Sequence, residues 1–482
     1  MKIKSKFISI MLGALFISNI CNAQISFHDS GQNLGNSTSS KVALGDIDND
    51  GDLDAIVSNW NHQITQNSKI WINDGTGLFS ESTQTIPPTL ANASLGDFDG
   101  DSDLDFWMDG RVWINDGNGN FSQGGYYAGG FSASGDLDAD GDLDVFISYG
   151  DGNINYVYLN DGSGHFTHSG QNIHQRSGNG VALGDLDNDG DLDAYVIGGA
   201  NFENPQGEPD KVWFNDGTGM FHDSRQELGN YQAGGVALGD MDGDGDLDAL
   251  VANWHPVPYP TNAQPNQLWI NDGKGNFTVS SQDFGKSMVS DVALEDLDGD
   301  GDLDAFIANG RDTNTGKANE VRVNIGNGQF HDPGLRLGNS PSLGVALGDV
   351  DSDGDHDAFI ANCGIFDGGH PNKVWLIDSN VGVEYYEIVP AFFDLKQNYP
   401  NPFNSATTIQ YSIAEPCYLR LSIFNMLGQR VKTLVNEFKG VGNYSISFDA
   451  TGEDGNYLSS GIYIYQISIG EIKQQKRMIL VQ

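Results

Sequence analysis

Aspartate recurs along this chain in a pattern that can hold a cation. The run Asp-x-Asp-x-Asp-Gly-Asp-x-Asp brings five carboxylates into nine residues. It occurs as Asp46, Asp48, Asp50, Asp52 and Asp54; as Asp136, Asp138, Asp140, Asp142 and Asp144; and as Asp185, Asp187, Asp189, Asp191 and Asp193. It returns as Asp240, Asp242, Asp244, Asp246 and Asp248; as Asp296, Asp298, Asp300, Asp302 and Asp304; and as Asp349, Asp351, Asp353, Asp355 and Asp357. A seventh copy, Asp97, Asp99, Asp101, Asp103 and Asp105, carries Ser102 where the others have glycine. Carboxylates this close repel one another, each near pair by on the order of 1 kcal/mol at a partly solvated dielectric. Seven such loops call for a counter-ion.

Calcium suits the donors, because it accepts six to eight oxygens in flexible geometry. Positions one, three, five and nine of each run can offer carboxylates, and position seven a backbone carbonyl. Glycine at position six, such as Gly51, permits the sharp turn. The loop is not an EF-hand, which needs a carboxylate at position twelve and flanking helices. Position twelve here is Val57, Met108, Ile147, Val196, Val251, Ile307 or Ile360. Zinc is disfavoured because neither His nor Cys recurs in register. Magnesium prefers rigid octahedral sites that keep waters. The bland alternative is a set of solvated acidic turns. We expect up to seven calcium ions with a structural role.

The elements that must position these loops are strands. The loop starts are spaced by 51, 39, 49, 55, 56 and 53 residues. A short apolar stretch such as Val42-Ala43-Leu44-Gly45 precedes each loop, and another such as Ala55-Ile56-Val57 follows it. After a variable segment comes a third, such as Lys69-Ile70-Trp71-Ile72, ending in Asn73-Asp74-Gly75-Thr76-Gly77. Leu78-Phe79 and a polar tail complete the unit. Four short strands in a repeat of this length predict an all-β, seven-bladed β-propeller. The seventh unit stops after its third strand, Val374-Trp375-Leu376. The segment Ile25-Ser26-Phe27-His28-Asp29-Ser30 matches the fourth strand Met220-Phe221-His222-Asp223-Ser224, so the N-terminal strand is expected to complete the last blade. Such closure removes open sheet edges.

These repeats resemble the FG-GAP/VCBS family, also found in integrin α-subunit heads. The resemblance spans about Ile25 to Ile377. It implies a seven-bladed propeller with calcium between the first and second strands of each blade.

In an antiparallel blade the acidic loops and the Asn-Asp-Gly-x-Gly turns share one face. The irregular loops, from Trp60 to Ser68, Gly199 to Pro209, Trp254 to Asn266 and Gly310 to Asn319, share the other. Variable loops on a rigid frame are where binding concentrates. Trp60, Trp254, His255 and Tyr259 are candidates for stacking on a sugar or gripping a protein; the alternative is that the tryptophans pack at strand ends. Catalysis has little support: the chain has no Gly-x-Ser-x-Gly elbow, no His-Glu-x-x-His pair and no register among its ten histidines. A polysaccharide lyase on a calcium propeller is the second reading, and it rests on fold analogy. A structural matrix protein is the third.

Lys2, Lys4 and Lys6 precede an apolar run from Phe7 to Ile20 and a small-residue end at Ala23, the pattern of a secretory signal over residues 1–23. A lipoprotein at Cys21 is the alternative, weakened by the bulky Ile20. No later stretch reads as transmembrane. Losing the three signal lysines takes the formal charge from −42 to −45, which disfavours nucleic acid as a partner. Cys363 and Cys417 then remain, too few to staple the fold.

Composition changes near Tyr385, and residues 381–392 read as a linker between a propeller over 24–380 and a domain over 393–482. That last segment alternates strands with no helical pattern, which predicts an immunoglobulin-like β-sandwich. Its Asn398-Tyr399-Pro400-Asn401-Pro402-Phe403-Asn404 start, the Gly428-Gln429 turn, the Ser460-Gly461-Ile462-Tyr463 strand and the basic Lys476-Arg477 end resemble the type IX secretion C-terminal sorting domain. The resemblance implies partners in the type IX machinery, and a protein released from, or attached to, the outer surface of a Gram-negative bacterium; we expect it to be a monomer.

Overall fold

In this computed structural model the described residues are 25–60, 66–148, 154–175, 178–199, 207–229, 231–254, 265–285, 288–312, 315–364, 369–377, 393–413, 417–425, 430–440, 442–453, 455, 457–469 and 472–481. The signal segment and the linker lie outside them. The chain divides into two compact units, Met1–Gly382 and Val383–Gln482. Every regular element among the described residues is a strand.

The first unit is a succession of antiparallel sheets of one design. In the first, Ser39–Gly45 pairs with Asp54–Asn59, that with Lys69–Ile72, and that with Ser80–Glu81. Among the described residues this order repeats in seven sheets. The second strands are buried along their whole length, from Asp54–Asn59 in the first sheet to Asp357–Asn362 in the last. Their consecutive apolar residues follow from this, since each strand is covered on both faces.

Seven apolar clusters lie between neighbouring sheets. Ile56 meets Phe106 and Trp113 across the first boundary, and Trp107 meets Val145 across the second. The series continues around to Phe359 against Ala55, which joins the last sheet to the first. Each large side chain buried this way contributes about 1.5–3 kcal/mol. The seventh sheet takes its outer strand from the start of the chain: Phe27, His28 and Asp29 pair with Ile377, Leu376 and Trp375. Repeated four-stranded sheets joined in this cycle make a β-propeller.

The innermost strands end in glycine for a packing reason. A Cβ on Gly45, Gly96, Gly135, Gly184, Gly239 or Gly348 would run into a leucine of the next sheet, respectively Leu104, Leu143, Leu192, Leu247, Leu303 and Leu53. Each of these leucines is position eight of an acidic loop, so the loop is seated against its neighbour.

The second unit is a β-sandwich. One sheet orders Phe393–Leu395, Thr407–Ile413 and Gly442–Phe448; the other orders Arg430–Lys439, Cys417–Asn425, Gly461–Ile469 and Ile472–Leu480. Ile409, Leu421, Ile423, Phe448, Tyr465, Ile467 and Met478 fill the space between them. The Asn-Tyr-Pro-Asn-Pro-Phe segment laces along the last strand. Asn401 accepts from the Ile479 amide at 2.8 Å, Phe403 donates to the Ile479 carbonyl at 2.9 Å, and Val481 donates back to Phe403 at 2.9 Å. This lacing covers a sheet edge that would otherwise be open.

Candidate functional site

Each acidic loop joins the first strand of a sheet to its second, and its aspartates divide into distinct tasks. Position one folds the loop on itself: Asp46 accepts from the amides of Asp50 and Gly51, both at 3.1 Å. Position five does the same over a shorter span, Asp50 accepting from Asp52 at 3.1 Å. Positions four and six are left-handed in all seven loops. Position four is Asn49 at φ +60, Gly100 at +77, Ala139 at +60, Asn188 at +62, Gly243 at +79, Gly299 at +73 and Ser352 at +60. Position six is glycine everywhere except Ser102, which adopts φ +75.

Position nine is the anchor. Asp54 accepts from the Asn73 amide at 2.7 Å and the Ile47 amide at 3.2 Å, so one carboxylate ties the loop to the third strand. The other six loops repeat both bonds. These carboxylates are almost fully buried. Burial raises their pKa values, to about 7 for Asp54, Asp193, Asp248, Asp304 and Asp357 and to about 6 for Asp105 and Asp144. The aspartates at positions three and five push in the same direction.

Position seven turns its side chain away from the loop. Asp52, Asp103, Asp142, Asp191 and Asp246 stand over the glycines of the Asn-Asp-Gly-x-Gly turns, at Gly75, Gly117, Gly162, Gly217 and Gly273, where a Cβ would collide with them.

Position three is the least satisfied of the set. One carboxylate oxygen of Asp48, Asp99, Asp138, Asp187, Asp242 and Asp351 is shut off from solvent and has no hydrogen-bond partner. Burial and the next aspartate along raise the pKa of all six. In the sixth loop the same causes bring Asp298 to about 6. A buried carboxylate oxygen left alone is costly. Recurrence in register makes it a design.

The oxygens converge. Carboxylate atoms of positions one, three and nine lie within 4.8 Å of one another in Asp136/Asp138/Asp144, Asp185/Asp187/Asp193 and Asp240/Asp242/Asp248, as do those of positions one, three and five in Asp46/Asp48/Asp50 and Asp97/Asp99/Asp101. An all-oxygen, anionic donor set of this kind fits a hard divalent cation.

Sequence reasoning missed the contacts between loops. An asparagine at the end of the third strand donates to a neighbouring loop in six of the seven sheets: Asn115 to the Ile47 carbonyl at 2.7 Å, Asn160 to Phe98 at 2.8 Å, Asn215 to Leu137 at 2.8 Å. Asn271, Asn324 and Asn73 do the same to Leu186, Met241 and Val350. The signal was present as a recurring Asn-Asp-Gly, but the acceptor sits in another repeat.

On the opposite face, Trp60 and Trp254 are partly buried and occupy one register position. Each follows a second strand and donates its amide to the residue preceding its own inner strand, Thr38 at 2.9 Å and Gln232 at 2.8 Å. His255 and Tyr259 lie outside the described residues.

The FG-GAP-like repeat family matches residues 46–108, 136–196 and 296–360, and the secretion system C-terminal sorting domain matches 397–482. Among curated proteins no sequence matches the chain. Similar solved structures include PorZ, an essential surface component of the type IX secretion system of Porphyromonas gingivalis, at 13% identity and a TM-score of 0.42 over 91% of this chain and 60% of that one. The chain thus spans 60% of the length of PorZ. A fungal alcohol oxidase of the AA5 family, in complex with copper, is 11% identical with a TM-score of 0.50 over 95% of this chain and all of that one. An α-L-arabinanase of Penicillium chrysogenum, complexed with arabinobiose, is 12% identical with a TM-score of 0.39 over 73% and 98%. Identities this low speak to fold alone. Among the described residues no helix is long and apolar enough to cross a membrane. The chain carries FG-GAP-like repeats followed by a type IX secretion C-terminal sorting domain, and is a secreted or outer-surface-attached protein.

Proposed function

We propose that this protein is a calcium-stabilised, non-enzymatic binding protein that engages a glycan or protein through the face opposite its acidic loops. The observation that carries the metal half is the unpartnered, buried oxygen at position three of six loops. Calcium matches these donors better than magnesium, because the backbone carbonyls and carboxylates form a flexible set with no imposed octahedron. Each ion that binds only the folded chain adds about 2.7 kcal/mol when calcium stands 100-fold above its dissociation constant. Residues 24–380 form the propeller, 381–392 the linker and 393–482 the sorting domain.

The binding reading rests on placement. Trp60 and Trp254 stand where the strands of a rigid frame run out into loops of unequal length. Carboxyls outside the acidic loops that burial has raised are tied to neighbours: Asp109 to Arg111, Asp210 to the Gly198 amide, Asp291 to Lys41. They are structural groups rather than an acid and base flanking a cleft.

Thermal unfolding of the mature protein in calcium and after chelation tests the metal. The midpoint is expected to fall on chelation and to recover with calcium but not with magnesium. An unmoved midpoint would remove the structural ion. For the ligand, a glycan array is read with wild type and with Trp60→Ala and Trp254→Ala; equal binding by all three would move the site off these residues.

A further inference from the structure

Three of the acidic loops reach directly into the next one. Asn49, at position four of the first loop, donates its side-chain amide to Asp103 at 2.6 Å and to the Gly117 carbonyl at 3.4 Å. Asn188 makes the same two contacts from the fourth loop to the fifth, with Asp246 at 2.7 Å and Gly273 at 3.2 Å. Ser352 donates from the seventh loop to Asp52 of the first at 3.4 Å. The remaining loops carry Gly100, Ala139, Gly243 or Gly299 there, with no side chain able to make the bond.

We infer that Asn49, Asn188 and Ser352 are positioning residues that couple the cation affinity of one loop to that of the next. The inference rests on the calcium reading above. Asn49 lies between Asp48 and Asp50, whose carboxylates an ion draws together; ordering that loop also fixes the Asn49 amide. Its acceptor, Asp103, occupies position seven of the second loop and is held on its other side by its own amide on Asp101, at 3.0 Å. Fixing Asp103 therefore fixes the arc from Asp101 to Asp103 before that loop has met its own ion. The entropy of ordering is then shared, and the coupling is reciprocal. Seven similar sites thereby fall into a linked run of the seventh, first and second loops and a linked pair of the fourth and fifth. The third and sixth stand alone.

The test is a calcium titration of the mature full-length chain followed by hydrogen exchange, which reads each loop separately. Asn49→Gly is the variant. Glycine is what three other loops carry at this position, and it suits the left-handed backbone. The calcium midpoint for protecting residues 97–105 should rise about fivefold, a typical coupling. The first loop should shift in the same sense, while residues 136–144 keep their midpoint. Asn49→Ser should recover part of the effect. Gly299→Asn should do the reverse, lowering the midpoint for residues 349–357. Protection of every loop with unmoved midpoints would overturn the coupling and leave the calcium reading intact. A uniform shift of all seven loops would overturn it as well, by showing a general loss of stability. Calcium that protected no loop would overturn both.

Discussion

His356 Nδ1 lies 3.0 Å from Glu295 Oε1, and this pair stands where the other six sheet boundaries set a leucine against a glycine. Glu295 replaces the glycine that ends an inner strand, and His356 replaces the leucine at position eight of the following loop. Neither residue suits the usual partner of the other. A carboxylate against leucine would lose its polar contact, and a histidine over glycine would leave space unfilled.

The exchange predicts non-additivity. Glu295→Gly and His356→Leu should each lower the stability of the calcium-loaded protein, and the double variant should recover it. The coupling should be about 0.5–1 kcal/mol, since both groups are partly open to solvent. Equilibrium denaturation of the four proteins measures it, and strictly additive losses would show that the two positions are independent.

Asp210 sets a dependence on pH. It caps the turn into the third strand of the fourth sheet, accepting from the Gly198 amide at 2.7 Å, with the Tyr195 hydroxyl 3.5 Å away. Asn266, Asn319 and Asn372 hold the same register in other sheets and accept the equivalent amide at 2.9 Å. Burial raises the Asp210 carboxyl to about 8. An acid whose folded value is raised binds its proton more tightly when folded. Its contribution is complete below the unfolded value near 4 and is lost as the pH climbs towards 8. Asp210→Asn should therefore match wild type near pH 4 and exceed it increasingly towards pH 8, by on the order of 1–3 kcal/mol or more. A constant difference between the two across that range would contradict the assignment.

Ser102 bears a strain that glycine would relieve. At φ +75 a side chain costs about 1 kcal/mol. Ser102→Gly should raise the thermal midpoint and strengthen calcium binding by the second loop, and Gly51→Ser should do the opposite in the first. Calorimetry of both variants decides the matter, and a lower midpoint for Ser102→Gly would mean that the hydroxyl makes a contact worth more than the strain.

Lys41 and Asp291 join sheets that are not neighbours. The ion pair measures 2.9 Å, and Lys41 also reaches the Gly234 carbonyl at 3.4 Å. Gly344, in the sheet between, makes room, since a Cβ there would press on the Lys41 backbone. Burial raises the Asp291 carboxyl, and Lys41 holds it back. Lys41→Met should cost about 3 kcal/mol by stranding the carboxylate, and adding Asp291→Asn should return much of it. Urea denaturation measures both; a Lys41→Met variant as stable as wild type would discount the pair.

Repetition is what made the fold legible. Seven copies of one loop fix the strand order, and the likeness of Ile25–Ser30 to Met220–Ser224 foretells the closing strand. The acidic clusters proposed to hold the cation were readable for the same reason. Contacts between repeats were not, because the partners are far apart in sequence: Asn115 and Ile47 are 68 residues apart. Asn, Gly, Ala and Ser alternate at position four and hide their common left-handed backbone. Glu295 and His356 look like separate departures until the fold sets them together. The irregular loops do not repeat, so no register singles out a ligand.

The pairing of Phe27–Asp29 with Trp375–Ile377 imposes a timetable on synthesis. A chain emerging amino end first carries an unmated strand until Trp375–Ile377 arrive, so the cylinder snaps shut only once the whole run of repeats is out, with the sorting domain still to follow. Until then both rims of the gap are adhesive β-ribbons, and an escort that shields them, or delays their ordering, decides whether the molecule matures alone or entangles with a sibling.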